Sequence, residues 1–213
     1  MKESFLSFDY KARYFQLGEL NPETEDIWII FHGYGQLASY FIKKFKDLEK
    51  EGICLIVPEG LNRFYLQGFA GRVGATWMTK EDRLTDIENY ISYLNRLYDD
   101  VIAPAMSSRT KLTLFGFSQG CATMARWALQ AKFDFHRIII WAGVIPPDLD
   151  FEQGKEVLKN KISYFVYGTE DPFLEGTSVE NIFKLVEKLE IKPTVFTFKG
   201  GHEIDADTLK KFI

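Results

Sequence analysis

The chain has 213 residues, of which 46% are hydrophobic and 26% charged. This composition excludes a disordered chain, and the length predicts one domain, residues 1–213, that can bury a core without disulfides. The formal net charge of −4 argues against a nucleic-acid partner. The first residues lack the apolar stretch of a signal peptide and no segment is apolar enough to span a membrane, so a cytoplasmic protein is expected.

Apolar runs and helical spacings alternate along the chain. Residues 5–9 and 13–17 are predicted to form a hairpin at a sheet edge, and residues 58–79 a long loop rich in aromatic side chains. Further strands are predicted at 27–31, 53–57, 111–115, 137–141, 162–167 and 194–198, and helices at 39–50, 80–102, 119–131, 178–190 and 205–213. Buried strands alternating with helices predict an α/β fold: a mostly parallel, doubly wound sheet with helices on both faces.

In such a sheet the functional loops follow the carboxyl ends of the strands. The pentapeptide GFSQG at residues 116–120 lies between a predicted strand and a predicted helix. This is the Gly-x-Ser-x-Gly pattern of a nucleophile elbow, in which a strained turn exposes the serine hydroxyl. With nine serines and 16 glycines, only about 0.05 such matches are expected by chance. The pattern therefore predicts Ser118 as a nucleophile.

A serine hydroxyl needs a general base, and the chain contains three histidines. His136 precedes a strand and is expected at the opposite end of the sheet. His32 follows a strand within a His-Gly segment and is expected to pack and hydrogen-bond beneath its loop. His202 follows the last predicted strand behind two glycines that let the loop bend towards the serine. His202 is therefore predicted as the base.

The base in turn needs an acid that orients it, placed between the serine and the histidine in the chain. Asp171 follows the strand 162–167 and is the favoured acid, with Glu170 as the alternative. Asp148 and Asp150 lie one strand earlier and are expected to be solvated. Asp205 is expected to cap the last helix.

These segments together resemble the phospholipase/carboxylesterase family of α/β-hydrolases, which includes acyl-protein thioesterases. The resemblance runs from about residue 26 to the end and is carried by FHGYG at 31–35, GFSQG at 116–120, GTEDP at 168–172 and GGH at 200–202. It implies the α/β-hydrolase fold and an oxyanion hole formed by the backbone N–H groups of Tyr34 and Gln119. About 20 residues separate the predicted strands 137–141 and 162–167, too few for a large lid domain.

One departure from the family concerns the substrate. In related thioesterases the loop after the second strand ends near an aromatic-Asp pair, whereas here Met78 follows Trp77 and no acid stands there. The acyl-protein or lysophospholipid substrate is therefore not transferred to this chain. Six residues of the long loop are candidates for the acyl pocket, with packed loop anchors as the alternative: Phe64, Tyr65, Phe69, Arg72, Trp77 and Met78. For Arg72, solvent or a structural carboxylate is the favoured partner.

Together these observations predict a serine carboxylesterase that hydrolyses short- to medium-chain esters through a Ser-His-Asp triad and an acyl-enzyme. The triad mechanism needs no metal or cofactor. A lysophospholipase or acyl-protein thioesterase on the same triad is the alternative, and an acyltransferase or a non-catalytic binding module is less favoured. The expected partner is a small ester or thioester, and the oligomeric state, including a homodimer, is left open.

Overall fold

The computed structural model describes residues 1–131, 133–174 and 177–213. Its strands are β1 (Tyr14–Leu17), β2 (Asp26–Phe31), β3 (Ile53–Pro58), β4 (Asn62–Gln67), β5 (Ala70–Thr76), β6 (Lys111–Phe117), β7 (Arg137–Trp141), β8 (Ile162–Gly168) and β9 (Thr194–Phe198). Its helices are α1 (Ala38–Phe41), α2 (Arg83–Leu97), α3 (Gln119–Gln130), α4 (Phe151–Leu158), α5 (Thr177–Lys188) and α6 (Ala206–Leu209). Tighter 3-10 turns at 42–48 and 210–212 extend α1 and α6, and a π-helical turn at 98–102 extends α2.

Seven strands form one sheet in the order β1-β3-β2-β6-β7-β8-β9. Only β1 is antiparallel to its neighbour, and helices cover both faces. The central strands are continuous apolar runs because both of their faces are covered. Residues 27–31 of β2, for example, are completely buried. The predicted α/β fold is confirmed.

Two parts of the predicted secondary structure are wrong. Residues 5–9 form no strand, and β1 pairs instead with β3, with Tyr14 opposite Pro58. Residues 58–79 are not a loop, because β4 and β5 form a separate antiparallel hairpin there. Gly68 and Gly71 adopt positive φ angles of 57° and 88° at its tip, a conformation that glycine adopts without strain.

The hairpin is held against the loop that follows β2. Ala75 and Gln36 form an isolated antiparallel bridge, so the hairpin has a partner outside itself. A Cβ atom on Gly74 would lie 2.3 Å from the carbonyl oxygen of Gly35, and only glycine permits this approach. The hairpin base is therefore fixed to the edge of the sheet where functional loops are expected.

The core lies on both sides of the sheet and contains most of the large aromatic side chains. Phe115 contacts both Trp28 and Trp141 on the central strands, with ring centroids 6.3 and 5.6 Å apart. Within the described residues, no helix combines the length and the apolar character needed to cross a bilayer.

Candidate active site

Ser118 occupies the sharp turn between β6 and α3. Its φ and ψ are 54° and −121°, outside the regions that non-glycine residues usually adopt. A Cβ on Gly116 would lie 2.6 Å from the Cα of Cys121, and a Cβ on Gly120 would lie 2.3 Å from the carbonyl oxygen of Phe31. The two glycines of the motif are thus required by backbone contacts on either side of the serine, which leaves its side chain directed outward.

The predicted base and acid lie beside this serine. His202 Nε2 is 2.9 Å from Ser118 Oγ, and His202 Nδ1 is 2.7 Å from Asp171 Oδ2. An ionised carboxylate only accepts hydrogen bonds, so Nδ1 carries the proton and Nε2 accepts from the serine hydroxyl. The three side chains form one continuous hydrogen-bonded chain.

The structure distinguishes between the two candidate acids. The Asp171 side chain is completely buried, and its second oxygen accepts a hydrogen bond from the Phe173 amide at 2.9 Å. Glu170 is exposed, and its backbone N–H donates to the carbonyl of Gly200. Asp171 is therefore the carboxylate that contacts His202, while Glu170 helps to attach the acid-bearing loop to the loop of the base.

The backbone amides of Tyr34 and Gln119 lie at the ends of two neighbouring strands. Tyr34 follows β2 and Gln119 is the first residue of α3, and β2 pairs directly with β6. Neither amide donates a hydrogen bond to any part of the chain that the structure describes. Two free N–H groups beside a serine hydroxyl are what an oxyanion hole needs.

His32 lies beneath this loop and is completely buried. Its Nε2 accepts a hydrogen bond from Gly60 N–H at 2.9 Å, and Nδ1 lies 2.8 Å from the carbonyl of Gly33. Burial lowers the pKa of His32 to about 4, so its ring is neutral at pH 7. The expected structural role of His32 is confirmed: it joins the loop after β2 to the loop after β3.

Comparison with known families decides the relationship of the chain. Residues 19–213 match the family described as Phospholipase/Carboxylesterase. The chain belongs to this family. Members of this family are hydrolases, and the similar solved structures include an esterase and an acyl-protein thioesterase. A comparison with curated protein sequences gave no significant match.

Solved structures confirm the fold at low sequence identity. Esterase PE8 is similar with a TM-score of 0.70 and 19% identity, covering 95% of this chain and 98% of that protein. Acyl-protein thioesterase 2 from Zea mays has a TM-score of 0.70 and 13% identity, with 95% and 96% covered. A phospholipase/carboxylesterase from Dyadobacter fermentans has a TM-score of 0.67 and 15% identity, with 96% of each chain covered.

In this member of the phospholipase/carboxylesterase family, four of the six candidate pocket residues lie on the β4–β5 hairpin. Phe64 is half-buried, with its ring 5.2 Å from that of Tyr34. Tyr65 and Arg72 are exposed, and Phe69 at the hairpin tip is 98% exposed. Of these four candidates, Phe64 is the one whose ring lies beside that of Tyr34 in the loop after β2.

The other two candidates follow the hairpin, and Trp77 fits the alternative of a packed loop anchor. Trp77 is completely buried, stacks on His32 and donates from Nε1 to the carbonyl of that residue at 2.9 Å. Met78 is half-buried, with its sulfur 3.8 Å from Arg126 Nη1. Trp77 is therefore a packed anchor behind the loop and not a wall of an open cleft. The reason is that β5 runs into the protein after Gly74 instead of continuing along its surface.

Two features near the serine were not predicted from the sequence, the ring of Phe173 and the side-chain contacts of Gln119. Phe173 is 70% exposed, and its ring lies 4.7 Å from the His202 imidazole in an edge-on arrangement. The side chain of Gln119 contacts the end of β5. Phe173 stands two positions after Asp171, so its nearness to the base follows from the acid's position. Nothing in the sequence pattern predicted the direction of the Gln119 side chain.

Asp148, Asp150 and Asp205 have hydrogen-bond partners of their own, and His136 lies at the far end of the sheet. Asp148 is exposed but not free, because Arg126 and Arg83 both pair with it. These hydrogen bonds, Arg126 first, lower the pKa of Asp148 to about 2. Asp150 caps α4 and Asp205 caps α6, each by accepting from a backbone N–H. His136 is exposed and precedes β7, at the sheet end opposite the serine.

Proposed function

We propose that this protein is a serine carboxylesterase that cleaves short- to medium-chain carboxylic esters through an acyl-enzyme. The observation that carries the proposal is the hydrogen-bonded chain from Asp171 through His202 to Ser118, with contacts of 2.7 and 2.9 Å. A serine that donates to a neutral imidazole, itself oriented by a buried carboxylate, is an activated nucleophile.

The first half of the reaction transfers the acyl group to the enzyme. His202 Nε2 removes the hydroxyl proton while Ser118 Oγ attacks the ester carbonyl carbon. The carbonyl oxygen becomes an oxyanion that the N–H groups of Tyr34 and Gln119 stabilise. His202 then donates the proton to the leaving alcohol oxygen, and the bond between the carbonyl carbon and that oxygen breaks.

The second half releases the acid. A water molecule takes the place of the alcohol, and its oxygen attacks the acyl carbonyl carbon while His202 removes its proton. The same two amides stabilise the oxyanion of the tetrahedral intermediate that forms. Collapse of the intermediate expels Ser118 Oγ, which regains its proton from His202. Asp171 stays ionised throughout and stabilises the imidazolium that forms in each half.

The surroundings of the serine support a small ester. The 142–161 segment between β7 and β8 contains only the eight-residue helix α4, so it supplies no lid. Exposed aromatic rings stand on both sides, Tyr34 near the hairpin and Phe173 near the base. Lysophospholipid or thioester substrates are the alternative on the same triad. The cytoplasmic location stays a prediction, and the oligomeric state, including a homodimer, stays open.

A panel of p-nitrophenyl esters from C2 to C12, run beside an acyl thioester, tests the proposal. We expect the highest kcat/KM among the short and medium chains and loss of turnover in Ser118→Ala. Highest activity on the thioester would favour the alternative substrate. Unchanged ester hydrolysis in Ser118→Ala would refute the mechanism.

A fluorophosphonate probe provides a second test that does not depend on substrate choice. The folded protein should be labelled at Ser118, and His202→Ala should lose labelling because the hydroxyl is no longer activated. If folded wild-type protein is not labelled, the non-catalytic binding module is the better explanation.

A further inference from the structure

The Gln119 side chain holds the end of β5 through both of its polar atoms. Its Oε1 lies 3.0 Å from Thr76 Oγ1 and accepts from Trp77 N–H at 3.2 Å. Its Nε2 donates to the carbonyl of Met78 at 2.9 Å. The amide therefore contacts three consecutive residues, Thr76, Trp77 and Met78.

The same strand holds the loop that carries the other proposed oxyanion donor. Gly35 N–H donates to the carbonyl of Ala75 at 2.8 Å, and Ala75 N–H donates to the carbonyl of Gln36 at 3.2 Å. The Gln36 side chain accepts from Gly33 N–H at 2.8 Å. Tyr34 thus stands in a loop that is hydrogen-bonded on both sides of it.

Residues 74–78, which make both sets of contacts, are also held by packing. Trp77 is completely buried, packs on Phe31 and His32, and donates to the carbonyl of His32. Residues 74–77 are all buried. Residues 74–78 therefore form a short, packed segment. Ala75 bonds to the Tyr34 loop, and the next three residues contact the Gln119 side chain.

We propose that the Gln119 side chain is a positioning residue that fixes the distance between the two oxyanion donors by attaching the start of α3 to residues 74–78. The proposal rests on the proposed function of the site. Tyr34 and Gln119 lie on separate loops. The backbone of Ser118, between β6 and α3, is strained, and this turn would relax if no contact held it in place.

The expected effect follows from how oxyanion donors work. Removing one such donor typically lowers kcat about 10²- to 10³-fold, and a donor that is misplaced instead of removed should cost less. These donors act on charge that develops in the transition state, so the loss should fall on kcat and leave KM nearly unchanged.

Gln119→Met tests the proposal, since methionine keeps the side-chain length and the backbone N–H but removes all three polar contacts. Thr76→Val removes one of these three contacts from the hairpin side. Asn62→Ala is the matched control: Asn62 also carries an amide on the hairpin and lies opposite Thr76, but it bonds to Asp86 instead of the elbow.

We expect Gln119→Met to lower kcat about tenfold with KM changed less than about twofold. The inhibition constant of an alkyl trifluoromethyl ketone, whose adduct with Ser118 carries an oxyanion, should rise by a similar factor. Thr76→Val should act in the same direction, and the double variant should lose less than the product of the two single losses. Asn62→Ala should change neither kcat nor the inhibition constant.

Three outcomes would overturn the positioning role. They are an unchanged kcat in Gln119→Met, a kcat loss without weaker ketone inhibition, and an equal loss in Asn62→Ala. Failure of the proposed function gives a different result, namely wild-type hydrolysis that does not depend on Ser118. If Ser118→Ala is inactive while Gln119→Met is fully active, only the positioning role is refuted.

Discussion

Acidification should destabilise this fold through one buried histidine. His32 is neutral in the folded protein because burial lowers its pKa from an ordinary 6.5 to about 4. Its Nε2 is occupied as an acceptor by Gly60 N–H, so a proton there would break that hydrogen bond. The nearby Glu59 carboxylate opposes this lowering but does not overcome it.

The sign and size follow from proton linkage. Between pH 6.5 and about 4 the unfolded chain binds a proton at His32 and the folded chain does not, so stability falls as the pH falls. Each pH unit in this interval is worth up to 1.36 kcal/mol, which gives about 3 kcal/mol in total. Below pH 4 both states are protonated and this contribution stays constant.

Urea unfolding at pH 7.0, 5.5 and 4.5 measures the effect, with His32→Gln as the comparison. Glutamine offers an oxygen to Gly60 N–H but does not titrate, so the free energy of unfolding of this variant should depend less on pH. The difference between the two proteins isolates His32 from the carboxylates and the other histidines. Equal pH slopes in the wild type and His32→Gln would refute the reasoning.

Three further predictions concern the site and its support. Gly120→Ala should cost about 1–3 kcal/mol in urea unfolding, because its Cβ would overlap the carbonyl oxygen of Phe31, and should also slow fluorophosphonate labelling; wild-type values would contradict the backbone contact. Asp171→Asn should lower kcat about 10⁴-fold, as in other triads, in steady-state ester hydrolysis; a loss under tenfold would remove Asp171 from the triad. Burial acts to raise the pKa of Glu59, but hydrogen bonds from Arg13 and Arg63 leave it lowered. Glu59→Gln should therefore lower the free energy of unfolding by about 1–2 kcal/mol at pH 7, measured in urea. An unchanged free energy of unfolding would show that the two ion pairs add nothing to the stability.

The central sheet could be predicted because its strands are local patterns. Segments such as 27–31 and 53–57 are unbroken apolar runs, and a run that is buried on both faces needs no further information to be recognised. The structure places β2 and β3 at these positions. The elbow could be predicted because the Gly-x-Ser-x-Gly spacing is itself a local signal, although Gly120 is required by the carbonyl oxygen of Phe31 on the neighbouring strand β2.

The sequence left two adjacent acids as candidates for the partner of His202, and the fold brings only one of them into contact with it. Asp171 and Glu170 are adjacent, and both follow β8. Only the path of the loop decides that Asp171 faces inward to His202 while Glu170 faces solvent. Asp148 likewise has its two arginine partners on α2 and α3, far away in sequence.

The sequence by itself determined the α/β fold, the Gly-x-Ser-x-Gly elbow and the residues able to serve as base and acid, because each leaves a local pattern in the chain: an apolar run, a glycine spacing or a titratable side chain soon after a predicted strand. Tertiary structure alone decided the hairpin and its role. Residues 62–76 have no apolar alternation that predicts strands, and they form β4 and β5 because Ala75 bonds to Gln36 and Gly74 packs on Gly35, some 40 residues away. Those contacts also bury Trp77 and direct Gln119 to the end of β5, since a side chain's partners across the fold are set by packing that no local pattern records.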